Sequence, residues 1–244
     1  MTIYRERPRR LEVLAKPVII FDLDGTLYRG DAPYWYYAEQ VSRFLPPEVG
    51  QAYLKRVRNH LTGKQPVEAS DNWEAVVRLM EPFGETLDPD QWQEAFMATR
   101  RYMLSGQCPL ELPFGLKPFL HDLKDQVILA VASNSPDEAA WPLLEQLGLT
   151  GLFDVIKTAA GKPEGLVTLV SEITHDDYAP DQIFSIGDHY NNDIVPGIQH
   201  GWITGHISPR RIFPGPATYQ VTALEELYSP IQTWVQRCKE GTNG

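Results

Sequence analysis

An apolar run that ends abruptly on two carboxylates constrains this chain more than any other feature. Val18-Ile19-Ile20-Phe21 shows no polar alternation, which suits a parallel strand buried on both faces. Asp22-Leu23-Asp24-Gly25-Thr26-Leu27 follows without a break. In open α/β sheets the carboxyl ends of such strands face the ligand, so Asp22 and Asp24 are candidate site residues. Alternate side chains leave a strand on opposite faces, and a turn beginning at Gly25 can bring both acids to one place. A carboxylate pair beside a turn suits a metal ion; the plainer reading is a solvated strand end.

After Leu27 the pattern turns helical for nearly ninety residues. Tyr34 to Leu45 repeats apolar residues at helical spacing, Pro46-Pro47 interrupts it, and Glu48 to Leu61 resumes it. Asp71 reads as an N-cap, as does Asp88, whose neighbour Pro89 fits a first helical position. Strand and helix signals alternate again from Pro113. Helices are expected at Leu116–Leu123, Pro136–Leu147 with Ser135 as N-cap, Glu164–Ile173, Asn192–His200 and Leu224–Val235. Strands are expected at Val127–Ala132, Phe153–Ile156, Ile183–Ile186 and Trp202–His206, the last of the core, with a surface loop at Pro209–Pro216. This order predicts an α/β fold, a doubly wound, Rossmann-like parallel sheet over 17–29 and 113–244, interrupted by a mainly α-helical insert over 30–112. Residues 1–16 form a basic arm carrying Arg5, Arg7, Arg9, Arg10 and Lys16, expected to be a frayed terminus.

Polar groups recur at the ends of the expected strands. Ser133-Asn134 follows Val127–Ala132, Gly161-Lys162-Pro163 follows the next strand, and Gly187-Asp188-His189-Tyr190-Asn191-Asn192-Asp193 follows Ile183–Ile186. A phosphate-binding Walker loop is excluded around Lys162, because Ile156 and Pro163 occupy the places of its first Gly and its Ser/Thr. Taken singly, these are a helix start, a surface lysine and favourable charge at a helix N-terminus.

Together and in this order they resemble the four motifs of the haloacid dehalogenase superfamily, most of whose members are phosphatases. The resemblance covers Val18–Leu27 and about Pro113–Leu227; across the insert only size and helical character match the family's cap domains. It implies Asp22 as nucleophile, Asp24 as acid and base, and Lys162 as the cation that offsets charge, with Lys157 as runner-up in a different loop register. It also implies Ser133 and Asn134, with Lys162, as phosphoryl-binding residues. Mg²⁺ would be held by Asp22, Asp188 and the Asp24 carbonyl, with Asp193 holding a metal-bound water or orienting Lys162. Gly187 stands where some members carry a further acid.

The implied activity is Mg²⁺-dependent hydrolysis of a small phosphorylated metabolite through an aspartyl phosphate. A phosphomutase is the near alternative. Dehalogenation ranks lower, since members that cleave carbon–halogen bonds generally lack an Asp at the place of Asp24. A phospho-Asp signalling receiver also ranks low, being near half this length. The insert is expected to act as a lid, with Tyr34, Trp35, Tyr36, Tyr37, Arg56, Arg58, Lys64, Arg100 and Arg101 as candidate substrate readers, although packing is the commoner use of such aromatics.

Composition narrows the partners. The formal charge of −10 argues against a general nucleic-acid binder. No run reaches ~18 apolar residues, so no membrane span is expected. Cys108 and Cys238 lie far apart with no Cys/His cluster, which disfavours zinc and disulfides and suits a reducing cytoplasm. Monomer and homodimer are equally compatible with the sequence.

Overall fold

The computed structural model describes residues 2–4, 16–84 and 87–241. The chain divides into two compact units, Met1–Tyr28 with Leu112–Gly244, and Arg29–Glu111. The strands are β1 (Thr2–Tyr4), β2 (Val18–Phe21), β3 (Ile128–Ala132), β4 (Val155–Lys157), β5 (Ile183–Gly187), β6 (Ile203–Ile207) and β7 (Tyr219–Val221). The helices of the second unit are α1 (Ala32–Ser42), α2 (Pro47–Leu61), α3 (Asn72–Arg78) and α4 (Pro89–Leu104). Those of the first are α5 (Leu116–Leu123), α6 (Asp137–Gln146), α7 (Glu164–Thr174), α8 (Val195–Gln199) and α9 (Tyr228–Gly241).

Among the described residues, seven strands form one sheet in the order β1-β4-β3-β2-β5-β6-β7. Every pairing from β4 to β7 is parallel. Chain order runs outward from β2 in both directions, so the topological switch point lies beside it, where doubly wound sheets bind ligands. Register makes that point level. Phe21 is opposite Val131 of β3 and Ile186 of β5, so Asp22, Ala132 and Gly187 end the three central strands together. The Asp22 amide then donates to the Ile186 carbonyl at 2.8 Å and carries the pairing one residue further.

Burial explains why β2 and β3 lack alternation. Val18, Ile20, Ile128, Ala130 and Ala132 share a cluster with Leu166, Leu169, Val170 and Ile173 of α7. The intervening Ile19, Phe21, Leu129 and Val131 are equally inaccessible, and Phe21 meets Phe153 edge to face at 6.1 Å. A side chain of this kind contributes about 1.5–3 kcal/mol when fully buried, so a polar residue on either face would be costly.

The second unit is built differently. Asp71 caps α3 by accepting from the Glu74 amide, and Asp88 with Gln91 forms a reciprocal capping box on α4. Its core joins Tyr37, Ala38, Val41, Tyr53, Val57 and Val76 to rings held edge-on or tilted, among them Tyr34–Trp73 at 5.1 Å and Trp73–Phe96 at 5.5 Å. Among the described residues, no helix is long and apolar enough to cross a membrane.

Several expectations need correction. The sheet does not end at the Trp202–His206 strand: β7 adds a further parallel strand, held to β6 partly by reciprocal Thr204 and Thr218 bonds, with Thr218 N donating to Thr204 Oγ1 at 2.9 Å. The run Asn192–His200 is a π-helical turn, Tyr190–Ile194, followed by a short α8 in whose first turn Pro196 needs no helical N–H partner. Pro136 rather than Ser135 stands at the N-cap of α6. Leu224–Leu227 is a 3₁₀ turn that leads into α9. Thr2–Tyr4 of the expected frayed arm pairs antiparallel with β4, whereas Arg5, Arg7, Arg9 and Arg10 lie outside the described residues.

Candidate functional site

The three central strand ends and two adjoining loops bring Asp22, Lys162, Asp188 and Asp193 together. Lys162 Nζ lies 2.6 Å from Asp22 Oδ1 and 2.6 Å from Asp193 Oδ1, and all three side chains are buried. Carboxylate oxygens of Asp22, Asp188 and Asp193 lie within 4.8 Å of one another. Three acids thus face one ammonium.

Each member is fixed by its own loop. Gly25, at φ +84°, turns the chain after the two acids, and a Cβ there would run into the Asp188 carboxylate. Glycine is needed at this position for conformation and for space. The loop carrying Lys162 is tied back to β3, because the Ala159 and Ala160 amides donate to the carbonyls of Ser135 and Ser133 at 2.9 Å. Asn134 completes that tie: its Oδ1 accepts from the Lys162 amide at 2.7 Å and its Nδ2 donates to the Lys162 carbonyl at 3.2 Å. Asn134, expected among the phosphoryl-binding residues, also ties the lysine loop to the end of β3 through its carboxamide. The π-helical turn aims Asp193 inward, with Oδ2 accepting from the His189 amide at 3.1 Å and the backbone carbonyl from Ser185 Oγ at 2.6 Å. A Cβ at Gly187 would overlap the Asp193 carboxylate, so an additional acid could not stand at 187 with Asp193 where it is.

Ser133 is buried at the end of β3, and its Oγ accepts from the Ser135 amide at 3.1 Å. A hydroxyl that accepts in this way keeps its own hydrogen available for another acceptor. Asp24 accepts from two hydroxyls, Tyr28 at Oδ1 and Ser135 at Oδ2, at 2.5 and 2.9 Å. Sequence reasoning points to neither donor in that role. The signal for them is weak: a tyrosine four residues past an acid, and a second serine two residues after the first. His206 Nε2 donates to the Asp188 carbonyl at 3.2 Å, and burial holds this imidazole below its ordinary pKa.

Burial and charge oppose each other here. Burial pushes Asp22 up to about 7, with Asp193 and Asp24 adding to the effect and Lys162 pulling against it. Burial would also discharge Lys162, but Asp193 and Asp22 outweigh it and hold the ammonium above the ordinary lysine range. The site therefore keeps its cation and carries surplus negative charge. Hard oxygen donors with that surplus fit a hard divalent cation such as Mg²⁺. Both oxygens of Asp193 already accept hydrogen bonds, which leaves Asp22 and Asp188 as the better direct ligands and Asp193 as the residue that orients Lys162.

The candidate readers of the insert are largely tied into its own packing. Arg58 lies over Trp35 at 4.8 Å, and the buried Arg100 lies over Trp73 and Phe96 at 5.0 and 4.9 Å. Arg56 lies over Phe83 at 5.9 Å, Tyr36 stacks on Tyr102, and Tyr34 and Tyr37 pack against Trp73. Lys64 and Arg101 are exposed.

Fold and site together define a doubly wound α/β protein with an acidic centre at its strand ends. The chain belongs to the haloacid dehalogenase-like hydrolase family, whose model matches residues 16–201. No curated protein sequence matches this chain. Solved structures do match in fold. YfnB of Bacillus subtilis, described as a candidate HAD-hydrolase bound to magnesium, is 20% identical over 89% of this chain and 99% of its own, with a TM-score of 0.61. A protein of Haemophilus somnus described as a predicted phosphoglycolate phosphatase is 21% identical over 91% and 100%, also at 0.61. A candidate β-phosphoglucomutase of Thermotoga maritima is 17% identical over 89% and 99%, at 0.59. 2-Haloacid dehalogenases share the fold as well.

Proposed function

We propose that this hydrolase is a Mg²⁺-dependent phosphatase for a small phosphorylated metabolite, acting through an aspartyl phosphate on Asp22. The observation that carries the proposal is the buried Asp22–Lys162–Asp193 network, with Asp188 in reach and a second acid, Asp24, two residues from the nucleophile. A phosphoryl group is anionic and so is its attacker, so the chief need is compensating charge. A divalent cation held by Asp22, Asp188 and the Asp24 carbonyl would supply most of it. Lys162 supplies the rest from a fixed position, and Ser133 donates its free hydroxyl hydrogen to a phosphoryl oxygen. Asp22 attacks phosphorus in line, and the displacement is divided into two easier steps. Asp24 protonates the leaving oxygen, then takes a proton from the hydrolytic water. Asp24 also separates this reading from carbon–halogen cleavage, where a departing halide needs no proton. In this reading the helical unit is a cap that selects the substrate and excludes water.

The test is a panel of phosphorylated metabolites, with glucose 1-phosphate scored for isomerisation and 2-chloropropionate for halide. Phosphate release that disappears on chelation and returns with Mg²⁺ is expected. Halide release, or isomerisation without free phosphate, would overturn the proposal.

A further inference from the structure

Asp24 is gripped on both oxygens. The Tyr28 hydroxyl donates to Oδ1 at 2.5 Å and the Ser135 hydroxyl to Oδ2 at 2.9 Å. The donors come from distant parts of the chain. Tyr28 lies at the far end of the turn that begins at Gly25, where an isolated bridge pairs its backbone with that of Asp24. Ser135 lies on the loop after β3, 111 residues away in sequence. A carboxylate with one partner can still turn about its Cβ–Cγ bond, whereas one donor on each oxygen fixes both side-chain torsions. Tyr28 is itself fully buried, so its hydroxyl cannot swing out to solvent and release Asp24.

We propose that Tyr28 and Ser135 are positioning residues that hold the Asp24 carboxyl in the orientation from which it serves the leaving oxygen. The proposal rests on the phosphatase reading. Proton transfer needs the acid within hydrogen-bond reach and correctly aimed, and misplacement by about 1 Å can cost roughly a hundredfold in rate. Ser135 divides its labour between two groups: its backbone amide donates to Ser133 Oγ at 3.1 Å while its hydroxyl serves Asp24. Ser135→Ala therefore removes the grip on Asp24 and leaves the amide bond to Ser133 in place. Tyr28→Phe removes one oxygen and keeps the buried ring.

The experiment compares wild type, Tyr28→Phe, Ser135→Ala and Ser135→Thr, with Mg²⁺, on an alkyl phosphate and on nitrophenyl phosphate. Aspartyl phosphate formation is followed by rapid quench and intact mass, beside steady-state kcat, KM and the melting temperature of each protein. With the alkyl phosphate, phosphorylation should slow by roughly 10- to 100-fold in Tyr28→Phe and Ser135→Ala, with KM within about twofold. With nitrophenyl phosphate the same step should slow by only a few-fold, because that leaving group needs little proton assistance. Ser135→Thr, which keeps a hydroxyl, should recover most of the alkyl rate. Equal slowing on both substrates, tracking a lowered melting temperature, would mean that the hydroxyls serve stability and would overturn the proposal. Unchanged or faster rates would mean that the grip parks Asp24 away from the reaction, and would overturn it as well. A wild type that releases no phosphate from either substrate or from any metabolite tested would remove the phosphatase reading and this inference with it. An active wild type with indifferent variants would remove only this inference.

Discussion

The two units bury charged side chains by different means. In the sheet unit Asp22, Lys162 and Asp193 are buried as a network whose partners are matched atom to atom, with 2.6 Å contacts and loops shaped to deliver them. In the helical unit the buried Arg100 lies over the faces of Trp73 and Phe96, contacts that tolerate rotation and small shifts. The contrast teaches where this chain can absorb change. A directional network in low dielectric loses much of its value when one member is removed, because the others are left charged and dry. A cluster of rings loses contact area in proportion to what is removed.

The strongest test of that contrast is Asp22→Asn. Turnover should fall by at least about 10⁴-fold, as when other enzymes lose their nucleophile. The variant's stability relative to wild type should depend on pH. The folded pKa of Asp22 is raised from 3.8 to about 7, so its favourable contribution is complete below about pH 4 and is lost as pH rises through 7. Asparagine does not titrate. In chelator, the stability of wild type relative to Asp22→Asn should therefore decline across that window, by about 1.4 kcal/mol per pH unit at the steepest. Urea denaturation at pH 4.5 and 7.5 measures it. A relative stability that rose with pH would show that Lys162, not burial, governs this carboxyl.

Next in size is Lys162→Met. It leaves Asp193 buried without its cation and drives Asp22 further toward the neutral acid, and should cost about 3–5 kcal/mol of stability as well as activity. Adding Asp193→Asn should restore part of the stability and none of the activity. A single-variant cost below about 1 kcal/mol would place the network with exposed ion pairs and break the comparison.

The same contrast governs what the sequence discloses. Val18–Ile20, the Asp22–Gly25 turn and Gly187-Asp188 are legible because strand-end chemistry is written in consecutive residues. Asp88-Pro89 is legible because a cap is a local structure. Thr2–Tyr4 and Tyr219–Val221 are not, since both are short strands at the sheet's edges, whose pairing comes from neighbours distant in sequence. The commitment of Asn134 to the Lys162 loop and the grip on Asp24 connect residues 28 and 111 positions apart, beyond the reach of any local pattern. The π-helical turn at Tyr190–Ile194 is hidden for another reason: its composition suits an ordinary helix start, and only the need to aim Asp193 at Lys162 distinguishes it.

The smallest expected effect comes from the helical unit and bears on the comparison from its other side. Asp88 is exposed, its Oδ1 accepts from the Gln91 amide at 2.8 Å, and its own backbone amide donates to Gln91 Oε1 at 3.1 Å. Asp88→Ala leaves an amide in the first turn of α4 without its acceptor and should cost about 0.5–2 kcal/mol, with Asp88→Asn close to wild type because Asn caps as well. No catalytic group depends on this oxygen. At a temperature where both proteins are folded, kcat should agree within about twofold, while urea denaturation shows the full loss. Adding Gln91→Ala to Asp88→Ala should cost stability again, since Gln91 Oε1 accepts from the backbone amide of residue 88, which the alanine variant retains. If Asp88→Ala slowed turnover tenfold under folding conditions, the start of α4 would be part of the catalytic cycle, and the division between a directional sheet unit and a tolerant helical one would fail at that helix.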